Sequence, residues 1–350
     1  MLTMAGLHGQ REVQSLSTQQ LNKFAGRRDV LRGVSLAAAG LAAPFAMPRL
    51  AGASAPLAQQ QVPGLYRLRI GQLEVTALLD GHTAFQDQAL PGLFPNYDAT
   101  VAGRLRQQAF MPAGAVPLAV NAYLVNTGGR LILIDAGAAG ALGPTLGQIP
   151  RNLAAAGLTP AQVDTIVITH FHRDHAAGLL DAEGHALFPN AELVVAEAEV
   201  AYWDDDAAMS QARPAVRSFF EPARRSLAPY RDRLRRITPG QEVSAGVVTL
   251  PLPGHTPGHM GVRVHSGPEQ LIVWGDVVHT QALQMPRPDW SIAFDSDPGQ
   301  AAETRRRTFD MAATDRLLVA GMHLDFPGIG YVVRRQEGYG LEPLPWRSAL

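Results

Sequence analysis

The sequence predicts an α/β protein in which β-sheets are covered by helices. Short apolar runs typical of buried strands alternate with stretches that favour helix, and this alternation occurs in two successive halves of the chain. Four of the runs end directly before a histidine or aspartate, which would bring these side chains to one edge of the sheets. With 46% hydrophobic and 17% charged residues among 350, a sizeable core is expected.

In the first half, alternating or apolar runs bounded by glycine and asparagine indicate strands. The segment Asn126-Thr127-Gly128-Gly129 separates two of these runs and is typical of a hairpin turn. Helix is expected at 99–109 and at 149–156, with Gly157 suited to end the second helix. The predicted strands are 66–79 (two strands joined at Gly71), 120–125, 131–134 and 165–169.

The second half repeats this order of strands and helices. Its strands end at Pro253-Gly254-His255, at Gly275-Asp276 and at Gly321-Met322-His323. Glycine at these points allows the backbone to turn tightly and to approach a ligand. The predicted strands are 193–196, 247–252, 261–265, 271–274 and 316–320, and the predicted helices are 197–203, 214–234 and 300–313.

The first 58 residues differ from the rest and predict an export signal with a flexible N-terminus. Arg27-Arg28 precedes a small-residue apolar run at 33–43, and residues 51–55 offer the small side chains that a signal peptidase reads. This order resembles a twin-arginine signal and predicts a periplasmic or secreted protein. No later segment is long and apolar enough for stable membrane insertion. Residues 59–350 are expected to form the catalytic domain.

The charge balance and the absence of cysteine limit the possible partners and the possible metal ligands. The formal net charge is −1, whereas a nucleic-acid partner would favour a strongly basic face, so none is expected. The sequence contains no cysteine, so histidine and carboxylate side chains must provide any metal ligands.

The strongest indication of a metal site is the segment His170-Phe171-His172-Arg173-Asp174-His175. In a loop that leaves a strand, His170 and His172 can face one ion while Asp174 and His175 face a second. Asp276 is the best candidate for a carboxylate that bridges the two ions. Burying so many imidazoles and carboxylates together without a cation would be costly.

These motifs resemble the metallo-β-lactamase superfamily. The cluster matches its HxHxDH signature, and Leu133-Ile134-Asp135-Ala136-Gly137 resembles its first motif. The resemblance implies an αβ/βα four-layer sandwich of two mixed sheets with helices outside. It assigns His170, His172 and His255 to a first metal, Asp174, His175 and His323 to a second, Asp276 to the bridge, and Asp135 to hydrogen-bonded support of the metal-binding loop.

Further stretches resemble the methyl parathion hydrolase and lactonase branch, among them Phe326-Pro327-Gly328-Ile329-Gly330. His279 departs from that branch, which has an apolar residue there, and this disfavours phosphotriesters as preferred substrates. His82, His185, His259, His265 and, by default, His279 are interpreted as ordinary polar residues. The comparison implies a substrate pocket formed by Phe171, Trp203, Phe219, Phe220, His279 and Phe294.

The resemblance implies hydrolysis of neutral lactones or esters, with organophosphate triesters as further candidates. Two ions sharing a water would make hydroxide available at neutral pH, and Asp174 is the candidate proton carrier. Zinc is favoured, with manganese, iron and cobalt as alternatives. A β-lactamase, a thiolester hydrolase of the glyoxalase II type and a non-catalytic metal-binding protein remain alternative functions, and a homodimer is an open alternative.

Overall fold

The N-terminal half forms a mixed sheet in the computed structural model, which describes residues 55–350. Its strands are β1 (Leu65–Ile70), β2 (Leu73–Gln86), β3 (Ala115–Asn126), β4 (Leu131–Ile134), β5 (Thr165–Val167), β6 (Glu192–Ala196) and β7 (Leu234–Ile237). They lie side by side in chain order. β1 to β4 pair antiparallel, whereas β4 to β7 pair parallel.

The C-terminal half forms a second mixed sheet. Its strands are β8 (Glu242–Ser244), β9 (Val247–Pro251), β10 (Met260–Ser266), β11 (Glu269–Val273), β12 (Leu318–Ala320), β13 (Ile329–Arg334) and β14 (Tyr339–Pro343). They also lie in chain order. Only the β11–β12 pair among these strands is parallel, and the other pairs are antiparallel.

The two sheets pack face to face through their inner faces, which are both apolar. Side chains of both sheets form a single buried cluster, with Val75 and Tyr123 from the first sheet and Val262 and Val273 from the second. The period-2 alternation of side chains along a strand produces this arrangement. In β1 the alternate arginines stay exposed while Leu68 and Ile70 are buried.

Helices cover the outer face of each sheet. The α-helices of the described residues are α1 (Leu90–Leu93), α2 (Ala99–Gln108), α3 (Ile149–Ala155), α4 (Arg173–Ala176), α5 (Glu197–Asp204), α6 (Asp206–Gln211), α7 (Pro214–Arg217), α8 (Phe220–Leu227), α9 (Gln281–Gln284) and α10 (Pro298–Thr314), of which α1 and α2 pack with Leu283 of α9 in a separate cluster. Leu227 of α8 packs in one cluster with Ile166 of the first sheet, and Phe309 of α10 packs with Val319 of the second. The predicted four-layer sandwich is confirmed.

One predicted helix is wrong. Residues 214–234 divide into α7, α8, a 3-10 segment at Ala228–Arg233 and the start of strand β7. Pro229 lies at the start of the 3-10 segment, where it lacks the N–H that a continuing α-helix would use. β7 forms because it pairs with β6, a tertiary contact that local sequence does not reveal. The helices predicted at 99–109, 149–156, 197–203 and 300–313 correspond to α2, α3, α5 and α10.

The N-terminal prediction falls mostly outside the described residues. Residues 1–54 of the expected export signal are not among them. From Gln60 to Leu350 the chain is one compact unit. None of the helices between residues 55 and 350 has the length and apolar character needed to cross a membrane.

Candidate metal centre

The ends of four strands converge at one edge of the sandwich. His170 follows β5 of the first sheet, while His255, Asp276 and His323 follow β9, β11 and β12 of the second. All four side chains are buried. The sequence predicted this convergence from the positions of the four residues just after apolar runs.

His170, His172 and His255 form the first group of candidate ligands, together with Asp276. His172 Nδ1 lies 2.9 Å from His255 Nε2. The Oδ2 atom of Asp276 lies 3.7 Å from His170 Nε2 and 3.3 Å from His255 Nε2. Ligand atoms bound at about 2.0–2.1 Å to one tetrahedral zinc lie roughly this far from each other.

Asp174, His175 and His323 form the second group. Asp174 and His175 lie in α4, the short helix that begins directly after His172. Asp174 Oδ2 is 3.7 Å from His175 Nε2 and 3.4 Å from His323 Nε2. Asp276 also faces this group, with Oδ1 3.1 Å from His175 Nε2 and Oδ2 3.2 Å from His323 Nε2. Its carboxylate therefore lies between the two groups.

The polar atoms of the two groups of candidate ligands fit a divalent cation. His170 Nε2, His175 Nε2 and Asp276 Oδ1 are buried, and none of them makes a hydrogen bond of acceptable geometry with a described residue, although Asp276 Oδ1 lies 3.1 Å from His175 Nε2. Such orphaned atoms are rare in folded proteins unless another group satisfies them. Burial, together with the neighbouring His175, holds the pKa of His170 well below its usual range. A neutral imidazole offers the lone pair that a metal ion requires.

Outer hydrogen bonds orient the candidate ligands. The Nδ1 atom of His175 lies 2.7 Å from Asp135 Oδ2, and that of His255 lies 2.8 Å from Asp295 Oδ1. His323 Nδ1 lies 2.8 Å from the carbonyl oxygen of Ala119. When Nδ1 carries the proton and donates it outward, Nε2 is left free to face a cation.

Asp135, which the resemblance predicts to support the metal-binding loop, lies beside Thr169 and His175. It follows β4, and its carboxylate accepts hydrogen bonds from the backbone N–H of Thr169 and from the Thr169 hydroxyl, both at 2.8 Å. One carboxylate thus contacts both His175 and the residue before His170. Asp135 adopts φ = 59°, a backbone conformation that aspartate tolerates better than most residues.

Asp295 is a site residue that sequence reasoning missed. It is fully buried and also accepts a hydrogen bond from the N–H of Ile292 at 3.0 Å. Burial alone would raise its pKa, but the hydrogen bond and charge of His255 and the nearby Arg305 lower it. Because 40 residues separate Asp295 from His255, no local motif connects them.

His259, interpreted from sequence as an ordinary histidine, supports Asp276. Its Nε2 accepts the backbone N–H of Asp276 at 3.0 Å, and its Nδ1 lies 2.6 Å from the carbonyl oxygen of Leu252. Burial and the nearby charge of His255 lower the pKa of His259 to about 3, so the ring is neutral and can accept. A Cβ on Gly275 would lie 2.3 Å from this ring nitrogen, so glycine is required there.

His279 belongs to the centre as well. It forms a third group with Asp276 and His323, and its Nε2 lies 3.0 Å from Asp276 Oδ2. Burial lowers its pKa to about 4 despite the adjacent carboxylate. The ring also faces a cavity beside the centre, which agrees with the predicted pocket role.

We expect a His279→Leu variant to bind as many metal ions per chain as the parent, which the two groups of ligands predict to be two. The two groups of ligands around Asp276 stay complete without His279. Metal content after dialysis, measured by elemental analysis, checks this expectation. A fall to one ion per chain would instead make His279 a ligand.

The cavity has a volume of about 350 Å³ and an aromatic wall. The ring of Phe219 lies 4.2 Å from that of His172 and 5.8 Å from that of Phe294, measured between centroids. Phe85 lies 6.5 Å from Phe294. The lining residues are Thr83, Ala84, Phe85, Leu118, Leu142, His172, Arg173, Asp174, Ala215, Ser218, Phe219, Asp276, His279 and Phe294.

Three predicted pocket residues lie elsewhere. Phe171, Trp203 and Phe220 are buried in the core between the first sheet and its helices, and none of them lines the cavity. Trp203 and Phe220 pack against each other, with ring centroids 4.7 Å apart. Phe85 was missed because β2 continues beyond residue 79, where its predicted strand ended, and carries this side chain to the cavity.

Comparison with protein families gives one match that covers most of the described chain. A family model described as the metallo-beta-lactamase superfamily matches residues 115–323. A probable metallo-hydrolase of Mycobacterium tuberculosis is 28% identical in an alignment of 199 residues that covers 48% of this chain and 60% of that protein. An uncharacterised protein of Bacillus subtilis is 27% identical over 155 residues, or 44% of this chain and 59% of that protein. The matches thus span about three fifths of the curated relatives' length.

Solved structures share the fold over a longer part of the chain. The hydrolase AbOPH, described as a member of the beta-lactamase superfamily, is 33% identical with a TM-score of 0.77, covering 83% of this chain and 100% of its own. AidC, described as a dizinc quorum-quenching lactonase in complex with a product, is 23% identical with a TM-score of 0.76, covering 82% of this chain and 99% of its own. At that identity the second likeness concerns the fold alone.

Proposed function

The chain belongs to the metallo-beta-lactamase superfamily, and on this basis we propose that it is a hydrolase of small neutral lactones and esters that uses two divalent metal ions. The observation that carries the proposal is the position of Asp276. Its buried carboxylate lies between two groups of candidate ligands, directly beside a cavity with an aromatic wall.

The residues present fit two ions in the arrangement used by dinuclear hydrolases. His170, His172 and His255 would hold one, and Asp174, His175 and His323 the other, with Asp276 between them. Zinc is the ion that we propose, because imidazole nitrogen and carboxylate oxygen suit it. When bound, a pair of such ions lowers the pKa of a shared water and polarises the oxygen of the group under attack.

The protein's own groups then orient the reaction. Asp135 and Asp295 fix the histidine rings through their Nδ1 atoms, so each Nε2 keeps its direction. Asp174 is only partly buried and lines the cavity, whereas Asp276 is almost fully buried. Asp174 is therefore the carboxylate that can exchange a proton with both the attacking water and the leaving group.

The cavity favours a substrate with an apolar part and a polar reacting centre. Phe85, Phe219 and Phe294 provide a surface for an acyl chain or an aromatic ring. Arg173 lies over the Phe219 ring at 5.5 Å and also lines the cavity. Its guanidinium would offer a hydrogen-bond donor to a carbonyl oxygen of the substrate. His279 adds a second polar group, which favours a lactone over an aryl phosphotriester.

A β-lactam substrate is the less favoured alternative. The only lysine in the sequence is Lys23, so residues 55–350 contain no lysine that could bind a substrate carboxylate at the centre. Arg173 lines the cavity, and the carbonyl oxygen of a neutral lactone or ester is the acceptor that we propose for it.

Hydrolysis by the purified, metal-loaded protein tests the proposal. The substrates would be an acyl-homoserine lactone, an aromatic lactone, an aryl phosphotriester and a cephalosporin, compared by kcat/KM. We expect a lactone to be the best substrate and His170→Ala to abolish its turnover. A cephalosporin as the best substrate would contradict the substrate class. Two bound ions with no turnover of any substrate would contradict the hydrolase itself.

A further inference from the structure

Glu199 is a buried carboxylate outside the predicted site. It lies in the first turn of α5 and has no exposed surface. Its Oε1 accepts the backbone N–H of Phe171 at 3.0 Å and the indole N–H of Trp203 at 2.5 Å. Its Oε2 accepts the hydroxyl of Thr256 at 2.6 Å and the backbone N–H of Gly258 at 3.1 Å. Both oxygens are thus fully used.

Two of these partners lie in different ligand-bearing loops. Phe171 stands between His170 and His172, in the loop after β5 of the first sheet. Thr256 directly follows His255, in the loop after β9 of the second sheet. One carboxylate therefore connects the loops that carry all three histidines of the first group. The second group has different outer partners, the Asp135 carboxylate and the Ala119 carbonyl.

The packing around Glu199 leaves little freedom for these loops. A Cβ on Gly258 would lie 2.2 Å from the backbone nitrogen of Glu199, so the second loop rests directly on α5. Burial raises the pKa of the Glu199 carboxyl, and its four hydrogen bonds oppose that shift. A buried carboxylate costs desolvation free energy that an apolar side chain of similar size would avoid. The specific effect of the Glu199 carboxylate is to fix the position of one ligand-bearing loop relative to the other.

We propose that Glu199 is a positioning residue that holds His172 and His255 at the spacing required to bind the first metal ion. The inference rests on the proposed two-metal function. It explains why His172 Nδ1 and His255 Nε2 lie only 2.9 Å apart although they come from different sheets. Glu199 acts through the loops and contacts neither the ion nor the substrate.

A Glu199→Gln variant tests the proposal through zinc affinity. The amide keeps the side-chain shape, but its NH₂ group must face one pair of donors and cannot accept from them. We expect the affinity for zinc at the first position to fall about 10- to 100-fold, the usual effect of losing an outer partner. The second position should change less, because Asp135 and the Ala119 carbonyl hold His175 and His323 independently of Glu199. Chelator competition gives the affinities, and anomalous scattering from crystals gives the occupancy of each position.

Asp80→Asn is the matched control. Asp80 is equally buried and accepts the backbone N–H groups of Ala138, Gly147 and Ile149, none of which lies in a ligand-bearing loop. We expect this variant to lower the melting temperature without selective loss of zinc from the first position. If Glu199→Gln behaves in the same way, Glu199 has a purely structural role and the proposal is overturned.

Thr256→Val keeps the test decisive if Glu199→Gln does not fold. It removes a single hydrogen bond to Glu199 Oε2 and should lower zinc affinity at the first position by a smaller factor. A folded Thr256→Val protein with parental zinc affinity at both positions would then contradict the proposal. Zinc binding is measured without substrate, so a parent that binds two ions but hydrolyses nothing would refute the proposed function and leave this inference standing.

Discussion

An Asp276→Asn variant is expected to lose both tightly bound metal ions and nearly all hydrolytic activity. Asp276 contacts histidines of both groups, with Oδ1 3.1 Å from His175 Nε2 and Oδ2 3.3 Å from His255 Nε2. Asparagine keeps the shape of the side chain but has no charge and only one acceptor oxygen. Metal catalysis contributes several kcal/mol of charge stabilisation, so at roughly 1.4 kcal/mol per factor of ten kcat/KM should fall about 1,000-fold or more.

The measurement is zinc content per chain after dialysis, followed by lactone turnover at saturating zinc. Asp289→Asn is a suitable control, because Asp289 is a partly exposed carboxylate paired with Arg287 outside the candidate centre. The control should bind two ions and keep parental kcat/KM. Two ions retained by Asp276→Asn with parental turnover would show that Asp276 does not bridge them.

The candidate ligands could be predicted because each has a local signal. His170, His255, Asp276 and His323 all follow an apolar run that becomes a strand. Strand formation by such runs is a local property, and the ends of neighbouring strands meet at one edge of a sheet. Chain order within the second sheet places β9, β11 and β12 close together, and the packing of the two sheets adds the end of β5.

The supporting residues had no such signal. Asp295 forms a hydrogen bond with His255, 40 positions away, and Glu199 forms one with Thr256, 57 positions away. Local sequence patterns identify the segments that carry these two carboxylates only as helix or loop. Polar residues at such places are most often exposed. Only the packed structure shows that both carboxylates are buried and hydrogen-bonded to the ligand-bearing loops.

The aromatic residues show a different limit. Phe219 and Phe220 are neighbours in sequence, yet Phe219 lines the cavity while Phe220 is buried in the core. Adjacent side chains at the start of a helix point about 100° apart. A difference of one position along the helix therefore decides whether a side chain faces the cavity or the core. The family resemblance identified the aromatic pair, but the start of α8 at Phe220 determines which member faces the cavity.

Asp174→Asn is expected to keep two metal ions at saturating zinc but to lower kcat for lactones about 100- to 10,000-fold, the range that general acid–base catalysis contributes. Asp174 Oδ2 lies 3.4 Å from His323 Nε2, and its side chain lines the cavity at 16% exposure. An amide oxygen can still coordinate an ion, but an amide cannot carry a proton from water to a leaving alkoxide. The loss should therefore appear in kcat more than in KM.

The leaving group separates proton transfer from metal binding. A lactone opens to a basic alkoxide that must be protonated, whereas a nitrophenyl ester releases an anion stable at neutral pH. If Asp174 delivers the proton, Asp174→Asn should slow the lactone far more than the nitrophenyl ester. If it acts only as a ligand, both substrates should slow by the same factor, because each depends equally on the metal ions. Equal losses would thus rule out the acid role and leave Asp174 a ligand of the second ion.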